Sequence, residues 1–349
     1  MTYKFRKISA GLVRNILINA VKRRFTAKTF FRPILPTLFI TLRCNLNCSY
    51  CGLIKKRIKE LSTEDTFRLL GKIRPHNAAL SISGGEPLVR ADITDVLKKA
   101  KELGFAPVFL NTNASLLHEK EEVLKYVDYL IISLDSLNEN KWDRILGVEG
   151  ASKTISGNIK TCSKLQKKYG FKIIINSVIT PETIPDIYEV MNFCREHDLL
   201  VSPVPEDQWS SVNAGLANNP GYYRLIEEII AMKKGGNKNI ILSDVFLDQI
   251  IKFEKHNCFP TLVPRIYPDG SVFYPCTPIG NVYGNLLEYP DLNTMLKRAY
   301  KKEKLPECVF GTKKCFMSCF MEPANMIEHP FSLLKQQLKH INRQITGGS

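Results

Sequence analysis

Six short apolar runs alternate with helical patterns between residues 37 and 205, and this alternation constrains the fold more than any other feature. The runs are "TLFITLR", "AALSISGG", "APVFLNTN", "YLIISLDS", "FKIIINSVIT" and "LLVSPVP". Ser62 precedes one of the intervening helical segments, while Gly104 and Gly170 end two others. Such a repeat predicts parallel strands with right-handed crossovers. Six units fall short of the eight of a TIM barrel, so we predict an α/β fold, a partial (β/α)6 TIM-type barrel.

A second region begins near residue 206, where the alternation ends. Two helix-like segments, "GYYRLIEEIIAMKK" and "LSDVFLDQIIKFEKH", precede the stretch "RIYPDGSVFYPC". Asp269 and Gly270 in that stretch are typical of a tight turn in a β-hairpin. We therefore divide the 349-residue chain into four regions, namely 1–35, 36–205, 206–330 and 331–349.

Both ends of the chain are predicted to be basic amphipathic helices. Residues 1–43 hold ten Lys or Arg and no Asp or Glu, and no run of 18 apolar residues occurs. The apolar positions that recur at helical spacing are Ile8, Leu12, Val13, Ile16, Leu17 and Val21, and Phe331, Leu334, Leu338, Ile341 and Ile345. These helices either lie on an anionic membrane or pack on the protein with a solvated cationic face.

Cellular location and partner class follow from the same features. Ten cysteines in a chain of this length, with no N-terminal signal core, indicate a reducing compartment. We expect a cytoplasmic protein, peripheral on the inner face of the membrane if the ends bind lipid. The basic segment carries no groove-reading motif, so we expect no nucleic-acid partner.

Three cysteines follow the first predicted strand in a C-x3-C-x2-C pattern: Cys44, Cys48 and Cys51. A structural zinc site takes four protein ligands, and a thioredoxin-like CxxC pair would not require Cys44. Iron–sulfur clusters also bind thiolates, and an iron without a cysteine can bind a substrate or cofactor. Three thiols therefore indicate a cluster with one open coordination position.

This triplet, with Tyr50 before its last cysteine and "GGEPL" after the second strand, resembles the radical S-adenosylmethionine (SAM) superfamily over residues 36–205. The resemblance implies that the three cysteines hold a 4Fe-4S cluster whose fourth iron is chelated by the amino and carboxylate groups of SAM. It further implies that the reduced cluster cleaves SAM to methionine and a 5′-deoxyadenosyl radical, which abstracts a substrate hydrogen atom. An electron donor such as flavodoxin or ferredoxin is then required, and no acid–base pair is expected among the side chains.

The same resemblance supplies candidate cofactor-binding residues. Those candidates are Tyr50, Gly84, Gly85, Glu86, Pro87, Asn111, Asn113, Ser133, Asp135 and Arg144. The two glycines lack a Cβ and allow backbone to approach a ligand, Glu86 suits a cationic amino group, and Pro87 stiffens the turn. Asn and Asp at strand ends also commonly cap turns, so either role is open for the last five.

Five further cysteines lie in the last hundred residues and resemble the SPASM/twitch extensions that carry auxiliary iron–sulfur clusters. They are Cys258, Cys276, Cys308, Cys315 and Cys319, near the "PDG" and "GNLLE" sequences. A full SPASM domain has seven or more ligands for two clusters, whereas five thiols supply one four-cysteine cluster. We predict Cys258, Cys276, Cys315 and Cys319 as its ligands, with Cys308 as the substitute, and a zinc ribbon as the alternative. Cys162 and Cys194 lie within helical patterns and are predicted to be buried apolar residues.

Three functions are compatible with these features. The first is a radical SAM enzyme that abstracts hydrogen from a membrane-associated lipid or isoprenoid. The second is a radical SAM/SPASM maturase of a peptide or protein. The third is a non-catalytic metal-binding membrane adaptor.

Overall fold

The computed structural model describes residues 9–26, 29–52, 58–208, 211–254, 256–277, 280–303 and 315–330. Within these ranges nine strands form one sheet in the order β6-β5-β4-β3-β2-β1-β7-β8-β9. The strands are β1 (Thr37–Thr41), β2 (Leu80–Gly84), β3 (Val108–Thr112), β4 (Tyr129–Ser133), β5 (Lys172–Ile179), β6 (Leu200–Pro205), β7 (Arg265–Ile266), β8 (Ser271–Tyr274) and β9 (Asn281–Asn285). Strands β1 to β6 pair in parallel, which confirms the predicted partial barrel.

Helices connect the strands and continue beyond them. They are α1 (Ala10–Phe25), α2 (Thr63–Ile73), α3 (Ile93–Glu102), α4 (Glu139–Leu146), α5 (Ala151–Tyr169), α6 (Asp186–Glu196), α7 (Ala214–Ala217), α8 (Pro220–Lys234), α9 (Asp244–Lys252), α10 (Leu292–Lys302) and α11 (Ser318–Glu328). The Ser62 side chain accepts a hydrogen bond from the Asp65 amide and caps α2 as predicted. Gly170 ends α5 with a φ of 74°, and Gly104 follows α3 with a φ of 83°.

Side chains along the parallel strands alternate between the apolar core and a cavity. Residues such as Ile40, Ile82 and Ile132 are buried in the main apolar cluster together with residues of the surrounding helices. The alternate residues, for example Phe39 and Asn111, line a cavity inside the sheet curve. Because side chains alternate across a strand, each strand contributes both to the core and to the cavity wall.

The hairpin predicted at Asp269-Gly270 is confirmed and joins the same sheet. Gly270 has a φ of 84°, and Ile266 on β7 lies opposite Val272 on antiparallel β8. Strand β7 also pairs in parallel with β1, with Leu38 opposite Ile266. The sheet therefore continues across the predicted boundary at residue 205, and the C-terminal region lies directly beside the first strand.

Helix α1 divides the predicted N-terminal stripe between two faces. Leu12 and Ile16 pack against the apolar cluster that includes α11, and Asn15 is buried, with its amide donating to the Pro33 and His76 carbonyls. The outer face exposes four large apolar side chains: Val13 (42%), Leu17 (51%), Val21 (60%) and Phe25 (83%). Ile8 and the predicted helix 331–349 lie outside the described residues. Among the described helices, none combines the length and apolar character needed to cross a bilayer.

Candidate active site

The three-cysteine loop leaves the carboxyl end of β1 and is fixed by the end of α4. The amides of Asn47 and Ser49 donate to the carbonyls of Leu146 (3.0 Å) and Ile145 (2.9 Å). Cys51 donates its amide to the Cys48 carbonyl at 3.0 Å, which closes a turn around Tyr50. The loop thus has a defined backbone up to Gly52, and residues 53–57 lie outside the described ranges.

The thiols of the loop influence one another. Burial, together with the neighbouring Cys44 and Cys51 thiols, raises the pKa of the Cys48 thiol to about 12. Burial likewise raises the pKa of Cys44. Among the described residues, no three or more His, Cys, Asp or Glu side chains are already arranged around a single ion site. In a cubane each thiolate binds a different iron, so the sulfurs need not converge on one point.

Gly84 and Gly85 bring the second strand against this loop. A Cβ on Gly84 would lie 2.1 Å from the Thr41 carbonyl oxygen, and one on Gly85 would lie 2.2 Å from that of Arg43. The amides of Gly85 and Glu86 donate to these same carbonyls, at 2.9 and 2.8 Å. The glycines are therefore required for backbone packing, in addition to the approach of a ligand that the sequence suggested.

The Glu86 carboxylate is fully buried and bonded within the protein. It accepts hydrogen bonds from the amides of Leu88 (3.0 Å) and Asn113 (2.6 Å) and from the Thr112 hydroxyl (2.8 Å). Burial raises its pKa to about 7. The carboxylate is therefore bonded to groups at the end of β3 and in the turn after Glu86, and the ligand contact that the sequence suggested for it stays a prediction. Pro87 begins a short 3-10 helix after it, over Pro87–Val89.

The asparagines at the end of β3 have separate environments. Asn111 lines the cavity and donates to the Ser81 hydroxyl at 2.9 Å. The side-chain nitrogen Nδ2 of Asn113 lies 3.9 Å from the Cys44 sulfur and donates a hydrogen bond to Asn45 Oδ1 at 3.0 Å. Asn113 thus offers an N–H group beside a thiol of the triplet, while Asn111 faces the interior of the barrel.

Tyr50 and Asp135 form a hydrogen-bonded pair at the end of β4. The Tyr50 hydroxyl donates to Asp135 Oδ2 at 2.8 Å, and the Val178 amide donates to Oδ1 at 2.7 Å. Burial raises the pKa of Asp135 to about 7. Ser133 lines the cavity with this pair. Arg144 instead forms an ion pair with Glu182, and both of these side chains are exposed.

The buried Asp135 should make stability depend on pH. Its pKa is raised from 3.8 to about 7, so between these values the folded protein retains a proton that the unfolded chain releases. The free energy of unfolding should therefore fall as the pH rises through this window. The raised pKa of Glu86 contributes to the same loss of stability between these pH values, so Asp135→Asn should remove about half of that loss. Urea unfolding of metal-free protein at several pH values measures it. Exposed Asp95→Asn is the control, and parallel profiles for wild type and Asp135→Asn would contradict this assignment.

A cavity of about 1110 Å³ occupies the interior of the partial barrel. Alternate residues of β1 to β6 form its wall, and residues 316–326 of the C-terminal region close another side. The lining includes Tyr50 of the three-cysteine loop and, from the end of β4, Ser133 and Asp135, so the loop lies at the edge of the cavity. In parallel βα folds ligands bind at the carboxyl ends of the strands, which is where these residues lie.

Three of the predicted auxiliary cysteines lie in one apolar cluster. Cys276 and Cys315 are buried there, and Cys258 packs against it. Cys319 is exposed on the first turn of α11, four residues after Cys315. Cys308 lies outside the described residues. Their ligand role is not tested by this arrangement and stays a prediction.

Cys162 and Cys194 are buried in α5 and α6, as predicted for small apolar residues. None of the cysteines in the described ranges forms a disulfide.

Two polar residues beside the auxiliary cysteines were missed from the sequence. Arg265 donates to the Cys319 sulfur at 3.3 Å and to the Thr277 hydroxyl at 2.7 Å. Asp207 accepts a hydrogen bond from the Phe316 amide at 2.9 Å. No local pattern marks either residue, because both contacts join segments more than ten positions apart in the chain.

The partial parallel barrel places the three-cysteine loop at the rim of its cavity, packed on a Gly-Gly-Glu-Pro turn, and three thiols so placed suit an iron–sulfur cluster. Residues 38–194 match the family model described as Radical SAM superfamily, so this part of the chain is similar to that superfamily. Radical SAM enzymes bind a 4Fe-4S cluster and SAM.

Sequence relatives cover part of the chain. A probable GTP 3′,8-cyclase of Methanothermobacter thermautotrophicus is 30% identical over 179 residues, which are 47% of this chain and 55% of that protein. The GTP 3′,8-cyclase of Limosilactobacillus fermentum is 31% identical over 175 residues, 46% of this chain and 51% of that protein. The chain thus spans about half the length of the curated relatives it matches.

Solved structures show the same fold. Streptococcus suis SuiB bound to the precursor peptide SuiA has a TM-score of 0.61 at 19% identity, covering 81% of this chain and 68% of that one. Native anSMEcpe with bound AdoMet and Kp18Cys peptide has a TM-score of 0.55 at 18% identity, covering 76% and 80%. Both similarities extend past the match at residues 38–194, so the barrel and part of the C-terminal region share their architecture.

Proposed function

We propose that this protein is a radical SAM enzyme that acts on a substrate held in the barrel cavity. The observation that carries the proposal is that Ser49 and Tyr50 of the three-cysteine loop line that cavity while the start of the loop packs against Gly84 and Gly85. A cofactor bound at the rim would face the interior, where the substrate is shielded from water.

The residues present fit a 4Fe-4S cluster and SAM. Cys44, Cys48 and Cys51 would hold three irons, because thiolates are the usual ligands of such clusters and the loop carries no fourth cysteine. When bound, the cluster would supply one electron for the reductive cleavage of SAM, and this cleavage would provide the radical needed to remove a hydrogen atom from the substrate. Asn113 donates an N–H toward the Cys44 sulfur, which favours a negatively charged site there.

Tyr50 and Asp135 would bind the nucleoside part of SAM. Their hydrogen bond fixes the phenol ring at the cavity edge, where it offers an apolar face to a base. Cys258, Cys276, Cys315 and Cys319 would hold an auxiliary cluster in the C-terminal region. A flavodoxin or ferredoxin would supply the electron needed for cleavage of SAM.

Anaerobic reconstitution tests this proposal. Wild-type protein with dithionite and SAM should release 5′-deoxyadenosine and should contain about eight irons per chain if both clusters form. About four irons would indicate that only one cluster forms. Iron-free protein that releases no 5′-deoxyadenosine would instead favour the metal-binding adaptor.

The curated relatives are named for cyclisation of GTP, but the cavity of this chain does not favour that substrate. Within the described residues, its lining holds five carboxylates, on Asp135, Glu182, Glu206, Asp207 and Glu322, against the single guanidinium of Arg265. A triphosphate would bring several further negative charges into this surface. A peptide or a lipid is therefore the better candidate, and two of the similar structures hold peptides.

The outer face of α1 favours a substrate presented at a membrane. Val13, Leu17, Val21 and Phe25 are exposed along it, and Arg14 and Arg24 are exposed as well. An exposed apolar face with cations is the combination by which an amphipathic helix binds an anionic bilayer. We propose that α1 carries the enzyme on such a surface.

Charged substitutions on this face should release the protein from vesicles. The double variant Leu17→Asp/Val21→Asp should reduce co-sedimentation with phosphatidylglycerol vesicles at least about tenfold, because two apolar contacts are lost and two repulsive charges added. Val148→Asp replaces an apolar residue that is 38% exposed and lies outside α1, and it should bind normally. Unchanged sedimentation of the double variant, or equal binding to phosphatidylcholine, would remove the membrane argument.

A further inference from the structure

The carboxylates of the cavity wall have different surroundings, although Glu206 is close enough to Asp135 for their charges to interact. Asp135 lies beside Tyr50 at the three-cysteine loop, so its carboxylate belongs to the cofactor side. Glu182 is paired with Arg144. The remaining carboxylates of the lining follow β6 or lie on α11: Glu206, Asp207 and Glu322. Asp207 accepts from the Phe316 amide, which joins the end of β6 to the segment that enters α11.

Arg265 does not balance these carboxylates, because its guanidinium is held by other groups. It donates to Thr277 and Cys319, and it stacks 4.8 Å from the ring of Phe320 and 5.6 Å from that of Phe39. These contacts turn its charge toward the auxiliary cysteines.

The carboxylates of Glu206, after β6, and Glu322, on α11, accept hydrogen bonds from neutral groups. Glu206 Oε2 accepts from the side-chain amide of Asn213, and Glu322 Oε1 accepts from the Ser243 amide at 2.8 Å. Burial raises the pKa of Glu322, while its hydrogen bonds with Ser243 and the nearby Lys233 ammonium act in the opposite direction. A cation entering the cavity would therefore gain an attractive interaction with these two carboxylates, of which that of Glu322 is already largely desolvated.

The rest of the wall suits an aliphatic chain. Strands β3 to β6 contribute apolar side chains to the lining, which include Phe109, Ile131, Ile174 and Val204, beside polar ones such as Asn111, Asn176 and Ser202. A substrate that is apolar along its length and positively charged at one end would match both parts of the surface.

We propose that the cavity selects a substrate with an aliphatic segment that ends in an ammonium or guanidinium group, and that Glu206 and Glu322 bind this cation. The inference rests on the proposed radical SAM function and adds the chemical class of its substrate. Such a group occurs on basic side chains of peptides and on amine-bearing lipids.

Matched probes test this selection with SAM-bound holoenzyme under anaerobic conditions. The peptide arm compares acetyl-Leu-Ala-X-Ala-Leu-amide, in which X is lysine or glutamate, and the lipid-like arm compares decylammonium with decanoate below micelle formation. In at least one arm the cationic probe should bind tenfold or more tightly than its anionic partner by titration calorimetry. The arm that shows the preference identifies the source of the cation. Equal or reversed affinities in both arms, or no binding of either cationic probe, would overturn the inference.

Conservative variants show whether the named carboxylates are responsible. Glu206→Gln and Glu322→Gln keep an acceptor oxygen and should each reduce the affinity for the favoured cationic probe about tenfold. Glu102→Gln removes the same charge from the exposed surface of α3 and should leave the affinity unchanged. Release of 5′-deoxyadenosine without added probe is measured on the same preparations. If it occurs while charge preference is absent, only this inference fails, whereas its absence contradicts the proposed function itself.

Discussion

Replacement of Cys44, Cys48 or Cys51 by alanine should abolish the dithionite-dependent release of 5′-deoxyadenosine. Each thiol would hold one iron, so two remaining ligands cannot retain the cluster with its open position for SAM. Iron should fall from about eight to about four per chain, because the C-terminal cysteines do not depend on this loop. Both quantities are measured on protein reconstituted without oxygen.

Two further substitutions make this result specific. Cys162→Ala removes a buried thiol of α5 and should keep both iron content and SAM cleavage. Cys315→Ala should lower iron by about four while SAM cleavage persists, because the cluster at residues 44–51 is retained. Cleavage that survives in Cys44→Ala would show that the proposed cluster site is wrong.

Substitution of Gly85 by alanine should disrupt the site through its backbone. The new Cβ would lie 2.2 Å from the Arg43 carbonyl oxygen, far inside van der Waals contact, so the Gly84–Pro87 turn and the cysteine loop cannot keep their separation. The bonds from the Gly85 and Glu86 amides to Thr41 and Arg43 would be lost with it. We expect about 2 kcal/mol or more of destabilisation and at least a hundredfold loss of SAM affinity.

Gly71 provides the matched control for this substitution. It lies within α2, and nothing is found within 4 Å of a Cβ placed there. Gly71→Ala should therefore stabilise the protein by about 0.5–1 kcal/mol and leave SAM binding unchanged. Thermal unfolding and equilibrium dialysis with SAM measure the two effects. Gly85→Ala with normal stability and affinity would contradict the role of the close backbone approach.

Features that depend on neighbouring residues in the chain were predictable without the structure. The short apolar runs and the caps at Ser62 and Gly170 predicted the parallel strands and helices, and Asp269-Gly270 predicted the hairpin. The spacing of Cys44, Cys48 and Cys51 predicted the chemistry, because ligand count and thiol identity are themselves properties of the sequence.

The tertiary structure alone decided how these pieces meet. It turned the Glu86 carboxylate into the protein, placed β7 beside β1, divided the apolar residues of α1 between a packed and an exposed face, and set Arg265 against Cys319. Each of these outcomes depends on contacts between residues far apart in the chain. The period of the apolar residues shows which side of a helix or strand is apolar. It does not show which distant element packs against that side, or which backbone amides donate hydrogen bonds to a buried carboxylate.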